Sequence, residues 1–214
     1  MESKKHIGEI LSRLEQRFPD ADTELNFDGV FQLLCAVILS AQCTDKRVNA
    51  VTEQLFKVAP TAREMAALPV EEIEKIIFSC GFYRSKANFL KAASTDILQR
   101  FDGSVPDNKK DLKSLKGVGE KTASVVFAVG LGGQAVAVDT HVFRVAGRLG
   151  LSEANNPDRV QKDLERLIPQ QKWSKSHHLL LLFGRYVCKS QNPKCRECFL
   201  TEYCHNVSKG RLNV

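Results

Sequence analysis

The spacing of apolar positions is helical along nearly the whole chain. Ile7, Ile10, Leu11, Leu14 and Phe18 recur at three and four, which predicts an amphipathic helix ended by Pro19. Val30 to Ala41 is apolar on all sides and reads as a buried central helix. Thr44 is placed to cap a helix carrying Val48, Val51 and Leu55, and Pro69 starts one with Ile73, Ile76 and Ile77 on one side. Further helices are predicted over Ser85 to Phe101, Asp107 to Leu115, Glu120 to Leu131, Val142 to Leu149, Pro157 to Ile168 and Ser174 to Cys188. No run alternates with period two. Ala135 to Val138 is the one candidate for a short extended piece, so the fold class is all-α. Plausible boundaries fall at Pro19–Asn26 and Leu131–Gln134.

Composition narrows the class. The 214 residues suffice for one large or two small domains, with 43% hydrophobic and 26% charged residues, as in a soluble globular protein. The net charge of +6 is compatible with nucleic acid without requiring it. No signal peptide follows the polar N-terminus, and Val30 to Ala41 is shorter than the roughly 20 residues a transmembrane helix needs. The expected setting is therefore cytoplasmic, with no membrane partner. Thiols stay reduced there, so seven cysteines argue for metal binding or chemistry over disulfides.

Four of the seven lie close together: Cys188, Cys195, Cys198 and Cys204, spaced C-x6-C-x2-C-x5-C. Four thiolates at this spacing suit a zinc ion or an iron–sulfur cluster, and ligand softness does not separate the two. Lys189, Lys194 and Arg196 are interleaved with them, as a solvated face or as contacts to a phosphate backbone. Cys35, Cys43 and Cys80 are scattered and read as buried thiols.

Between two predicted helices stands Leu115-Lys116-Gly117-Val118-Gly119-Glu120-Lys121-Thr122-Ala123. Gly117 and Gly119 permit a tight turn and close approach of backbone to a ligand, and the next helix presents free N–H groups to an anion. Such a turn, with Val118 between the glycines, can hold a DNA phosphate without reading sequence. Lys121 falls in the first helical turn, where the dipole disfavours a cation; with partial burial this favours the neutral, nucleophilic amine. Asp139 follows the apolar Ala135 to Val138. It is placed as a helix N-cap and equally as a carboxylate beside a developing sugar cation.

Together these features resemble the endonuclease III family of DNA glycosylases, in the helix–hairpin–helix superfamily. The resemblance spans almost the whole chain and is most specific at residues 115–123, Ala137-Val138-Asp139-Thr140-His141-Val142, Leu39-Ser40-Ala41-Gln42-Cys43-Thr44-Asp45 and the four-cysteine spacing. It implies a six-helix domain over 22–134 containing the hairpin, and a second domain made of 1–21 and 135–214 that carries a [4Fe–4S] cluster on Cys188, Cys195, Cys198 and Cys204. The cluster is not the catalyst in this family. Duplex DNA with damaged pyrimidines or abasic sites would bind in a cleft between the domains of a monomer. Lys121 would form a Schiff base with the sugar, and Asp139, on the second domain, would stabilise its cationic character. Gln42 would fill the gap left by the extruded nucleotide, with Phe82 where a leucine wedge is usual. The chain departs from the family pattern at Phe82, at Lys116 for the usual hairpin proline, and at Glu120 for a usual basic residue.

The nearest rival, an adenine glycosylase of the same superfamily, carries a glutamate near Ala36, lacks the lysine and has an extra C-terminal domain. A non-catalytic DNA-binding module would form no imine, and an electron-transfer protein would leave the hairpin, Lys121 and Asp139 unexplained.

Overall fold

The computed structural model describes residues 5–210. Helices α1 (Ile7–Arg17), α2 (Gly29–Ser40), α3 (Asp45–Val58), α4 (Ala62–Ala67), α5 (Val70–Ile77), α6 (Tyr83–Arg100), α7 (Lys109–Ser114) and α8 (Glu120–Val125) lead to α9 (Thr140–Leu149), α10 (Pro157–Leu167), α11 (Trp173–Tyr186) and α12 (His205–Ser208). Among the described residues there is no β-strand, and no helix is long and apolar enough to cross a membrane. The chain divides into two compact units, one of residues 24–133 and one of residues 1–23 with 134–214.

The unit of residues 24–133 is built around α2. Its residues from Gln32 to Leu39 are all buried, as an all-apolar helix requires, and α3, α6 and α8 pack against it. Thr44 caps α3 by accepting from the Arg47 N–H. Short α4 was not expected from apolar spacing. Its start is fixed by a capping box in which the Thr61 hydroxyl and the Glu64 carboxylate each satisfy the other's backbone N–H. The predicted single helix from Glu120 to Leu131 divides, with α8 ending in one widened turn over Val126–Gly130.

In the other unit, α1 and α9 both pack on α11. Ile10, Leu11, Leu14, Val142, Val145, Leu180 and Phe183 form its core. Ala135 to Val138 is buried but pairs with no strand. Small apolar residues lose water by packing alone, so their burial did not require a sheet.

Candidate functional site

The turn between α7 and α8 is fixed at both ends by buried apolar side chains, Leu115 and Val118. Gly117 has a left-handed backbone (φ +81°), and a Cβ there would lie 2.6 Å from Phe89 Cβ and Cγ. Any other residue would be strained and would collide with α6. At Gly119 a Cβ would meet nothing within 4 Å, so the missing side chain leaves bare backbone open to approach from outside. Glu120 turns back towards α7. Its carboxylate pairs with Lys109 at 2.8 Å and Lys113 at 2.6 Å, and these two hydrogen bonds hold its pKa below the usual carboxylate range. The departure to an acid at this position thus ties the two hairpin helices together.

Lys121 is the second residue of α8. It is exposed, not partly buried as expected, and makes no hydrogen bond or ion pair with another described residue. Gln42 and Phe82 are exposed on neighbouring loops of the same unit. A Cβ on Gly81 would sit 3.5 Å from the Gln42 carbonyl oxygen. Both residues adopt positive φ, 53° at Gln42 and 58° at Phe82, a costly conformation for side chains of this size. Phe78, missed from sequence, is also exposed and rests against Tyr83 with ring centroids 5.1 Å apart. Lys86 was missed as well. It is buried, and its ammonium donates to the Leu39 carbonyl at 2.9 Å in the last turn of α2, where the helix dipole welcomes a cation.

Asp139, Lys189, Lys194, Arg196 and the four clustered cysteines belong to the other unit. Asp139 is the N-cap of α9. Its Oδ1 accepts from the N–H groups of His141 at 2.9 Å and Val142 at 2.8 Å. Its second oxygen accepts no hydrogen bond among the described residues, so the cap uses half of the carboxylate.

The same helix reaches the cysteine loop through two arginines. Arg144 Nε donates to the Cys188 carbonyl at 3.0 Å and its Nη2 to Gly184 O at 2.7 Å. Arg148 donates to Lys189 O at 2.6 Å and Ser190 O at 3.2 Å, and its Nη1 lies 3.4 Å from Cys188 Sγ. Neither arginine stood out in the sequence, because nothing local shows that the chain after α11 returns to this face of α9.

Cys188, Cys195, Cys198 and Cys204 are free thiols that line one cavity, together with Leu149, Phe183, Val187 and Pro193. No carboxylate joins that lining. Burial pushes the Cys195 and Cys198 thiols up, and the nearby Cys188 and Cys204 add to it. Among the described residues no group of three or more His, Cys, Asp or Glu side chains is gathered as the shell of a single metal ion. Four soft sulfur donors in a cavity otherwise lined by apolar side chains, Lys194 and Thr201 do fit an iron–sulfur cluster that takes four thiolates. Lys189, Lys194 and Arg196 are exposed. Lys189 and Lys194 line one concavity with Arg17 and Tyr186, and Arg196 does not line it.

An all-helical frame with a glycine hairpin defines a class, and the comparisons agree: residues 35–170 match the HhH-GPD superfamily of base excision DNA repair proteins. The chain is 43% identical to endonuclease III of Bacillus subtilis over 96% of its length and 94% of that protein's. It is 45% identical to endonuclease III of Synechocystis, covering 94% and 92%. A solved structure of a trapped covalent intermediate of endonuclease III with DNA superposes with a TM-score of 0.93 at 42% identity, covering 98% of this chain and 99% of that one. The chain belongs to the endonuclease III family. It is a DNA glycosylase and abasic-site lyase of base excision repair.

Proposed function

We propose that the chain excises damaged pyrimidines from duplex DNA through an imine on Lys121 and cleaves the strand 3′ to the lesion. The observation that carries this reading is an exposed amine without a partner among the described residues, at the second position of the helix that follows a hairpin of bare backbone. The Val118 N–H closes the turn by donating to the Leu115 carbonyl at 3.2 Å, the N–H groups of Gly117 and Gly119 hold a phosphate, and the target nucleotide leaves the stack to reach the amine. The lone pair of Lys121 Nζ attacks the sugar C1′, and the C1′–N bond breaks as the base departs with its electron pair. Ring opening gives the imine. Loss of a C2′ proton then expels the 3′ phosphate by β-elimination.

The free oxygen of Asp139 stabilises positive charge at the sugar and takes up a proton from the attacking amine. Gln42 and Phe82 fill the space the nucleotide leaves, a role supported by their exposure and strained backbone. Lys189, Lys194 and Arg196 neutralise backbone phosphates. Cys188, Cys195, Cys198 and Cys204 would hold a [4Fe–4S] cluster that fixes the fold of their loop. The protein acts as a monomer on nucleoid DNA in the cytoplasm.

The test is incubation with duplex DNA containing a thymine glycol. Release of the free base together with a strand cut 3′ to the site supports the reading. Base release that leaves an uncut abasic strand contradicts it. Iron and sulfide analysis tests the cluster, and one zinc with no iron in anaerobically prepared protein would exclude it.

A further inference from the structure

We infer that Cys43 and Cys80 are a redox-active thiol pair whose oxidation to a disulfide fastens the Gln42 loop to the Phe82 loop. The two cysteines are 37 positions apart in sequence (80 minus 43) and read there as separate buried thiols. The fold brings them together. Cys43 packs against the buried cluster that contains Cys80, and its side chain acts on the Cys80 thiol. Their backbones meet beside them, where Gly81 approaches the Gln42 carbonyl so closely that a Cβ would touch it at 3.5 Å. Each cysteine lies within two residues of a strained position, Cys43 following Gln42 and Cys80 two residues before Phe82.

The two thiols differ in access. Cys43 is partly accessible, whereas Cys80 is 2% exposed. Burial and the contact with Cys43 push the Cys80 thiol up to about 11, while Lys86 and Arg47 pull the other way. Cys43 therefore meets the oxidant and Cys80 resolves it. With a peroxide as oxidant, the Cys43 sulfur attacks one oxygen, the O–O bond breaks, and a sulfenic acid and water form. The Cys80 sulfur then attacks the Cys43 sulfur, the S–O bond breaks, and a second water leaves. Two thiols lose two electrons and two protons, and the peroxide gains them. Cys35 supplies the contrast: it is 2% exposed in mid-helix, and no other cysteine acts on its thiol.

The consequence for DNA rests on the proposed role of Gln42 and Phe82 in filling the gap. Loops joined by a disulfide cannot separate to follow the stack as it opens, so affinity for lesion duplex should fall by about tenfold, or 1.4 kcal/mol. Intact holoprotein is treated with a few equivalents of hydrogen peroxide, and its iron content is followed to confirm an unchanged cluster. A non-reducing digest should yield one linked peptide pair containing Cys43 and Cys80, absent from Cys43→Ser and from Cys80→Ser. Lesion affinity should fall on oxidation, recover with dithiothreitol, and stay constant in Cys43→Ser, which alters the accessible partner and spares the buried one. Absence of the Cys43–Cys80 peptide overturns the pair. A linked peptide with unchanged affinity overturns the regulatory consequence. Gln42→Ala under reducing conditions tests the gap-filling role separately, so that failure of either idea is identifiable.

Discussion

Between Leu115 and Lys121 the chain is fixed largely by the two helices it joins. Leu115 and Val118 are buried and Glu120 pairs with Lys109 and Lys113 of the preceding helix, while the fit of Gly117 on Phe89 is the one longer reach, 28 positions back (117 minus 89). Between Cys188 and Cys204 the regular structure is two short turns, Cys195–Glu197 and Thr201–Tyr203. What anchors the start of that loop comes from Arg144 and Arg148, on a helix about forty residues earlier. The first region draws its ion pairs from the two helices it joins and leaves its amine without a partner among the described residues. The second is organised by distant guanidinium groups around a cavity of sulfur. A site for chemistry can thus be carried on a turn braced mainly by its own two helices, while a ligand loop borrows its order from a helix further away.

The largest expected effect separates the hairpin scaffold from its amine. Lys121→Gln should lower strand nicking by roughly a thousandfold or more, about 4 kcal/mol in the barrier, with an unchanged melting temperature. Asp139→Asn comes next. Asparagine keeps the cap on α9, so thermal melting should barely move, while base excision slows about a hundredfold, near 3 kcal/mol. Near-normal excision by this variant would reduce Asp139 to a cap.

Gly117→Ala attacks the hairpin's own fit. The clash with Phe89 and the positive φ should cost about 2 kcal/mol of stability in denaturant unfolding, with lesion binding weakened as well. Arg148→Ala attacks the loop from its remote support. A loss of about 1.5 kcal/mol is expected, with faster hydrogen exchange confined to residues 188–204 and none at the hairpin. Faster exchange at residues 115–121 would erase the contrast between the regions. Glu120→Gln should cost least, no more than about 0.5 kcal/mol, because its pairs are partly solvated.

Much of this contrast follows what apolar spacing can carry. The buried run from Val30 to Ala41 and the stripe through Ile10, Leu11 and Leu14 became α2 and α1, because burying a continuous apolar face leaves few alternatives. The glycine turn and the cysteine spacing were legible as well, each being contiguous in sequence. Helix α4 was not, since six residues offer too few apolar positions and only the Thr61–Glu64 cap marks it. The sequence also suggested partial burial for Lys121, which the fold exposes, because burial depends on what packs nearby and not on helix position. The links from Arg144 and Arg148 to the loop, and the meeting of Cys43 with Cys80, arise only once distant segments return to one another.

The most direct test of the central claim is to locate the covalent bond itself. Wild-type protein is incubated with thymine glycol duplex in borohydride, the trapped adduct is digested, and the modified peptide is sequenced by mass spectrometry. A single adduct on Lys121 is the predicted result. An adduct on the N-terminal amine or on another lysine, or no adduct alongside efficient base release, would contradict it.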